Sequence, residues 1–122
     1  MAALNIAFEA PDNSRVGRPS TARPIDLVHL AAQTAGNKVL EAEVLQMFAR
    51  QARIALQELS RNDAEGRKAA AHRLKGSAEA VGAFSVAQIA AELEIKGDDA
   101  AANARLAAAV LEAENFILKL SR

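Results

Sequence analysis

The sequence of 122 residues contains no cysteine, tryptophan or tyrosine, and only four phenylalanines. The absence of cysteine excludes disulfides, thiolate nucleophiles and cysteine-based zinc sites, and it fits a reducing cytosol. Few aromatic residues argue against a β-sandwich or barrel, because strands favour aromatic and β-branched side chains. Net charge is also absent, since 15 basic and 15 acidic residues cancel. We therefore expect no binding to nucleic acid or to an anionic membrane surface, which both attract basic proteins.

Long apolar runs are missing as well. No stretch approaches the roughly 18 residues of a membrane helix, and no short apolar block follows a basic N-terminus. The sequence therefore predicts a cytoplasmic protein without a membrane segment. All three prolines lie in the first 24 residues. We predict that residues 1–24 form a partly flexible tail, in which the alternating segment Leu4–Phe8 could pack as an extended or short helical piece.

Alanine, in contrast, is abundant, with 30 residues against 32 Val, Ile, Leu, Met and Phe together. Alanine is the best helix former, and its small side chain lets helices approach closely. After Pro24 the chain has no proline, so residues 25–122 are free to be helical to their end. The composition predicts an all-α domain.

Apolar residues recur at helical spacing in four segments, after a short leading helix at about residues 25–33. The four stripes are Leu45, Phe48, Ala52, Ala55 and Leu59; Ala70, Leu74, Ser77 or Ala78, and Val81; Val86, Ile89, Ala90 and Leu93; and Leu106, Val110, Ala113, Ile117 and Leu120. Each stripe covers one helix face, so the helices must bury these faces against one another. The predicted fold is an antiparallel up-down four-helix bundle with a short leading N-terminal helix.

Cap residues separate the predicted helices. Asp63 is a predicted N-cap, and either Asp98 or Asp99 is expected to cap the last helix. Gly82 and Gly97 follow the last apolar residues of their segments, where a glycine commonly ends a helix. The leading helix is expected to stop near Gly36.

Two histidines are present, and they differ in setting. His29 lies in the leading helix one turn after Asp26, and we predict a structural role for it. A bundle metal enzyme would need paired Glu-x-x-His or His-x-x-x-His motifs, and only a single Asp-x-x-His occurs. We therefore predict no metal site on this chain.

His72 points away from the apolar stripe of its own helix, at the centre of a polar face that also holds Lys68, Lys75 and Glu79. Gly76 follows one turn later, where a mid-helix glycine costs about 1 kcal/mol relative to alanine. The missing side chain gives clearance for a bulky group to reach the ring, and the lysines suit an anion. An imidazole in water is mostly neutral at pH 7 and hence nucleophilic. Wheel geometry alone leaves a plain solvated helix face equally open.

The sequence Ala71-His72-Arg73-Leu74-Lys75-Gly76-Ser77-Ala78, followed by Gly82-Ala83 and Leu93-Glu94, resembles the signature of the histidine-containing phosphotransfer (HPt) domain of two-component phosphorelays. The family block HxLKGS(A/S) is present without a gap, and the order of helices agrees over residues 25–122. The resemblance implies that His72 accepts a phosphoryl group from the aspartyl phosphate of one receiver domain and passes it to the Asp of another.

The same resemblance implies roles for the neighbours of His72. Lys75 balances phosphate charge, with Lys68 on the same side, and Gly76 gives clearance. Glu94 is at a position that often carries a polar residue reaching toward the histidine. The candidates for the docking surface are Ala69, Glu79, Gly82, Ala83 and Phe84, of which Phe84 is equally compatible with the core.

The implied partners are response-regulator receiver domains and a hybrid histidine kinase. The receiver is expected to bring the acceptor Asp and Mg²⁺, so that this chain needs no cofactor of its own. No ATP-binding motif occurs, and we expect a monomer without autonomous kinase activity. Two alternatives stay open. The bundle could be a scaffold or inhibitor that binds a kinase or receiver without being phosphorylated, or it could be the HPt module of a larger kinase.

Overall fold

The computed structural model describes residues 23–121, so the predictions for residues 1–22, including Leu4–Phe8, lie outside the described chain. In chain order the helices are α1 (Leu27–Thr34), α2 (Lys38–Arg61), α3 (Ala64–Val81), α4 (Phe84–Lys96) and α5 (Ala100–Leu120). The described residues contain no strand, which confirms the predicted all-α class. None of the described helices has the length and apolar character needed to cross a membrane.

Side-chain caps set where four of the five described helices begin. The carboxylate or amide oxygens of Asp26, Asn37, Asp63 and Asp99 accept hydrogen bonds from backbone N–H groups in the first turn. The prediction for Asp63 is confirmed, and of the two candidates at the last helix it is Asp99 that caps α5. Asp98 instead accepts a hydrogen bond from the side chain of Asn103.

The predicted stripes form one core. Every stripe residue is buried except Leu120, which is 46% exposed, and Ala78 rather than Ser77 occupies the inner position of α3. The prediction for Leu120 is wrong because this residue is the last of α5, where the described residues leave nearly half of it exposed. Consecutive long helices pack together, and α2 also packs against α5, which closes a ring of four. The antiparallel order of that ring remains a prediction.

The start of α1 lies against the turn between α3 and α4. The Asp26 N–H donates to the Gly82 carbonyl at 2.9 Å, and Gly82 is left-handed with φ 85°. The preceding Ile25 is fully buried. In α1 the His29 ring packs edge-on against Phe84, with ring centroids 5.2 Å apart. The backbone N–H of His29 donates to Oδ1 of the cap residue Asp26. These contacts tie the leading segment to the core and give His29 a structural setting.

Substitution of Gly82 by alanine should destabilise the protein by about 2 kcal/mol or more. A positive φ alone costs a non-glycine residue about 1 kcal/mol, and a Cβ here would lie 2.8 Å from the Asp26 carbonyl oxygen. Gly36→Ala is a matched control, because Gly36 has φ 76° and a Cβ there meets no atom within 4 Å. Urea unfolding of both variants measures the difference. If both variants lost the same free energy of unfolding, the close contact with Asp26 would not contribute to the effect at Gly82.

Candidate functional site

His72 lies in the middle of α3 with 65% of its side chain exposed. The residues of α3 that face the core are Ala70, Ala71, Leu74, Ala78 and Val81. The ring therefore stands on the outer face of the helix, as the wheel predicted, and is open to a partner.

Glu94 on α4 connects His72 to Lys75. One carboxylate oxygen, Oε2, is 2.7 Å from Nδ1 of the His72 ring, and the other, Oε1, is 2.9 Å from Nζ of Lys75. Only 19% of the Glu94 side chain is exposed, so the carboxylate sits between the two helices rather than in bulk water. A single acidic side chain thus holds two groups of the neighbouring helix.

These contacts determine where the ring proton lies. Hydrogen bonds from Lys75 and then from His72 lower the pKa of Glu94, although partial desolvation opposes the shift. An ionised carboxylate can only accept hydrogen bonds, so Nδ1 of His72 must be the donor. In the neutral ring the other nitrogen, Nε2, then keeps its lone pair. The geometry defines Nε2 as a nucleophilic atom on an exposed surface.

Among the described residues, none packs where a side chain at Gly76 would lie. A Cβ built at Gly76 meets no atom within 4 Å, and the residue is exposed in mid-helix. Gly66 in the same helix is different, since a Cβ there would lie 2.7 Å from Cβ of Asn62. The open space at Gly76 lies one turn from His72 and leaves the approach to the ring unobstructed.

Three further predicted site residues are exposed on the described surface of α3. Lys68, Ala69 and Glu79 are all exposed, and the wheel places them on the outer face with His72. These positions agree with a shared surface, while their roles in docking stay predictions.

Two of the predicted docking residues, Gly82 and Ala83, are not available at the surface. Gly82 is buried and Ala83 is 0% exposed, because the start of α1 lies against this turn. Phe84 is 40% exposed but packs on His29. It is the first residue of α4, whereas Glu94 is near its last. Gly82 and Ala83 therefore offer a partner little exposed surface, whereas a docking role for Phe84 stays a prediction.

Two contacts at this surface were not predicted from the sequence. Lys75 is bound to Glu94 instead of standing free, and Arg73 donates to the carboxylate of Glu58 on α2. Both pairs join different helices, so no local spacing indicates them. Within residues 23–121 no group of three or more His, Asp or Glu side chains could hold a metal ion.

The comparisons with known proteins agree with this geometry. The chain matches the family model of the Hpt domain over residues 43–119, which is more than half of its length. The chain therefore belongs to the Hpt domain family. Among solved structures it is similar to the histidine phosphotransferase ShpA from Caulobacter crescentus, with 27% sequence identity and a TM-score of 0.65 over 80% of this chain and 94% of that one. No curated protein matches the chain.

The charge of Glu94 should stabilise the fold at neutral pH and cease to do so in acid. Its pKa is lowered from the ordinary 4.5, so the native carboxylate stays ionised at pH values where that of the unfolded chain is protonated. The contribution is therefore complete above about pH 4.5 and is lost as the pH falls through the lower folded pKa. Urea unfolding at several pH values measures the difference in unfolding free energy between wild type and Glu94→Gln. This difference should shrink as the pH falls below about 4.5.

Glu79→Gln is the matched control for this experiment, because Glu79 is an exposed carboxylate on the same surface. Its effect on unfolding should be small at every pH. If Glu94→Gln lowered the free energy of unfolding by the same amount near neutral pH and in strong acid, Glu94 would not stabilise the fold through its negative charge.

Proposed function

We propose that the protein shuttles a phosphoryl group between receiver-domain aspartates in a multistep two-component phosphorelay, with phospho-His72 as the intermediate. The observation that carries the proposal is the 2.7 Å contact between His72 Nδ1 and Glu94 on an otherwise exposed ring. It leaves Nε2 unprotonated and turned away from Glu94. Membership of the Hpt domain family, and the similarity to a histidine phosphotransferase, support phosphoryl as the group transferred.

In the proposed step, the lone pair of Nε2 attacks the phosphorus of the receiver's aspartyl phosphate. The N–P bond forms as the bond between phosphorus and the acyl oxygen breaks, and the aspartate leaves as a carboxylate. The ring becomes positively charged, because Nδ1 keeps its proton. The ionised Glu94 beside Nδ1 stabilises this imidazolium more than it stabilises the neutral ring. The reverse step, toward the Asp of a second receiver, returns the ring to neutrality.

The proposed partners complete the chemistry. The receiver supplies the aspartate and Mg²⁺, which neutralises the phosphoryl oxygens when it is bound there. The chain itself contributes the nucleophile, its orientation and an open approach past Gly76. A hybrid histidine kinase upstream supplies the phosphoryl group, so no ATP-dependent kinase activity is expected here.

We also propose that α2 to α5 run alternately up and down, which the short connections between them and their closed ring of contacts support. We expect the protein to act as a monomer in the cytoplasm.

Incubation with a panel of phosphorylated receiver domains should label the wild-type protein with a phosphoryl group that is lost in acid and stable in base. His72→Gln should take up no label, because Nε2 is the attacking atom. His29→Gln is the control and should label normally, since His29 packs in α1 against Phe84. An unlabelled wild type, or an equally labelled His72→Gln, would favour a scaffold or inhibitor that binds without being phosphorylated.

Substitutions at Gly76 should separate folding from transfer. Gly76→Ala should raise the free energy of unfolding by about 1 kcal/mol, since alanine is the better helix former and its Cβ meets no atom. Gly76→Gln should also fold, but its side chain lies across the approach to His72 and should slow labelling about tenfold or more. Ala104→Gln, exposed on α5, is the control for an added surface side chain.

Both the unfolding free energy and the labelling rate are needed to judge the Gly76 variants. Normal transfer by a stably folded Gly76→Gln would remove the argument from clearance. A destabilised Gly76→Ala would instead show that glycine is needed for the helix itself.

A further inference from the structure

Lys75 and Lys68 share the outer side of α3 with His72, but their surroundings differ. The ammonium of Lys75 is 2.9 Å from Glu94 Oε1, and only 29% of the Lys75 side chain is exposed. Lys68 is exposed, and none of the ion pairs among residues 23–121 includes it. Of the two lysines, Lys75 is already paired with Glu94, whereas Lys68 is exposed and outside these ion pairs.

The engagement of Lys75 has a consequence for His72. The hydrogen bond from Lys75 is the largest of the contacts that lower the pKa of Glu94, and Glu94 in turn holds Nδ1 of the ring. A lysine ammonium has three N–H donors, but if Lys75 left Glu94 to reach a phosphoryl group on Nε2, Oε1 of Glu94 would lose this partner. The carboxylate that orients the ring would then be less firmly held.

A phosphoryl group on His72 nevertheless needs a positive neighbour, because it adds about −1.5 to −2 charge to a surface. Two carboxylates, Glu65 and Glu79, are exposed on the same side of α3 and oppose that charge. Lys68 lies one turn before His72, about 40° away on the wheel. Helical side chains lean toward the N-terminus, so the His72 ring leans over the turn that carries Lys68.

We propose that the two lysines have different roles. Lys75 is a positioning residue that acts through Glu94 on the His72 ring, and Lys68 supplies the positive charge that meets the phosphoryl group on Nε2. This assignment rests on the proposed phosphoryl carrier and departs from the role that the family resemblance implies for Lys75.

The first arm of the test uses the free protein and needs no phosphoryl group. Nitrogen-15 NMR of the neutral His72 ring measures the fraction that carries its proton on Nδ1. Lys75→Ala should lower this fraction, Lys75→Arg should restore it, and Lys68→Ala should leave it unchanged. In a Glu94→Gln background, Lys75→Ala should have no further effect, because a residue that acts through Glu94 is coupled to it.

The second arm uses protein phosphorylated by phosphoramidate, a small donor whose N–P bond breaks, releasing ammonia, as the bond to Nε2 forms. Phosphorus-31 NMR then follows the titration of the phosphoryl group. Lys68→Ala should raise the midpoint by a few tenths of a pH unit, as expected for the loss of an exposed ion pair. The shift should shrink with added salt, persist in the Glu94→Gln background, and be absent in Lys68→Arg.

Lys96→Ala is the matched control for the loss of a surface ammonium in both arms, since Lys96 is a surface lysine paired with Glu92. No midpoint shift with Lys68→Ala, or an equal shift with Lys75→Ala, overturns the assignment of Lys68. A normal Nδ1 proton fraction in Lys75→Ala overturns the assignment of Lys75. If wild type accepts no phosphoryl group, the proposed function and the role of Lys68 fail together, whereas the first arm still decides the role of Lys75.

Discussion

The close packing of α3 against α4 is the constraint on which the site depends. The inner faces of the two helices carry alanines, among them Ala71 and Ala78 on α3 and Ala87 and Ala90 on α4, and all four are buried. Methyl groups keep the helices near each other, so a glutamate on α4 is long enough to reach the histidine of α3. Larger side chains at these positions would widen the gap and remove Glu94 from the ring. The alanine-rich composition therefore allows the helices to pack closely and also brings Glu94 within reach of His72.

Local patterns predicted most of the fold. Helix faces, the cap at Asp63 and the glycine that ends α3 depend on residues within a few positions of each other, and sequence spacing reports such relations directly. The prediction for Leu120 failed because helical spacing shows which face a residue lies on, but not whether another helix extends far enough to cover the last turn. The burial of Gly82 and Ala83 could not be predicted in this way, because the contact at Gly82 comes from Asp26, which is remote in sequence.

The site was only partly predictable in the same way. The wheel placed His72 on the outer face, but the motif, not the periodicity, indicated phosphoryl chemistry. The contact of Glu94 with His72 was expected from the family resemblance, whereas the pairing of Lys75 with the same carboxylate was not, because it depends on how closely two helices approach. The Lys75 and Glu94 side chains are 29% and 19% exposed, so this pair lies at the junction of two helices and not in bulk water.

The exposure of His72 bears on the lifetime of the phosphoryl group that we propose it carries. With 65% of the side chain in solvent, a P–N bond at the outer nitrogen faces bulk water, and residues 23–121 do not enclose it. Its lifetime in the proposed role is then set by the intrinsic chemistry of the bond and by how soon a partner arrives. In the proposed role the chain therefore transfers its phosphoryl group rather than storing it, and the supply of partners limits how long the group stays on His72.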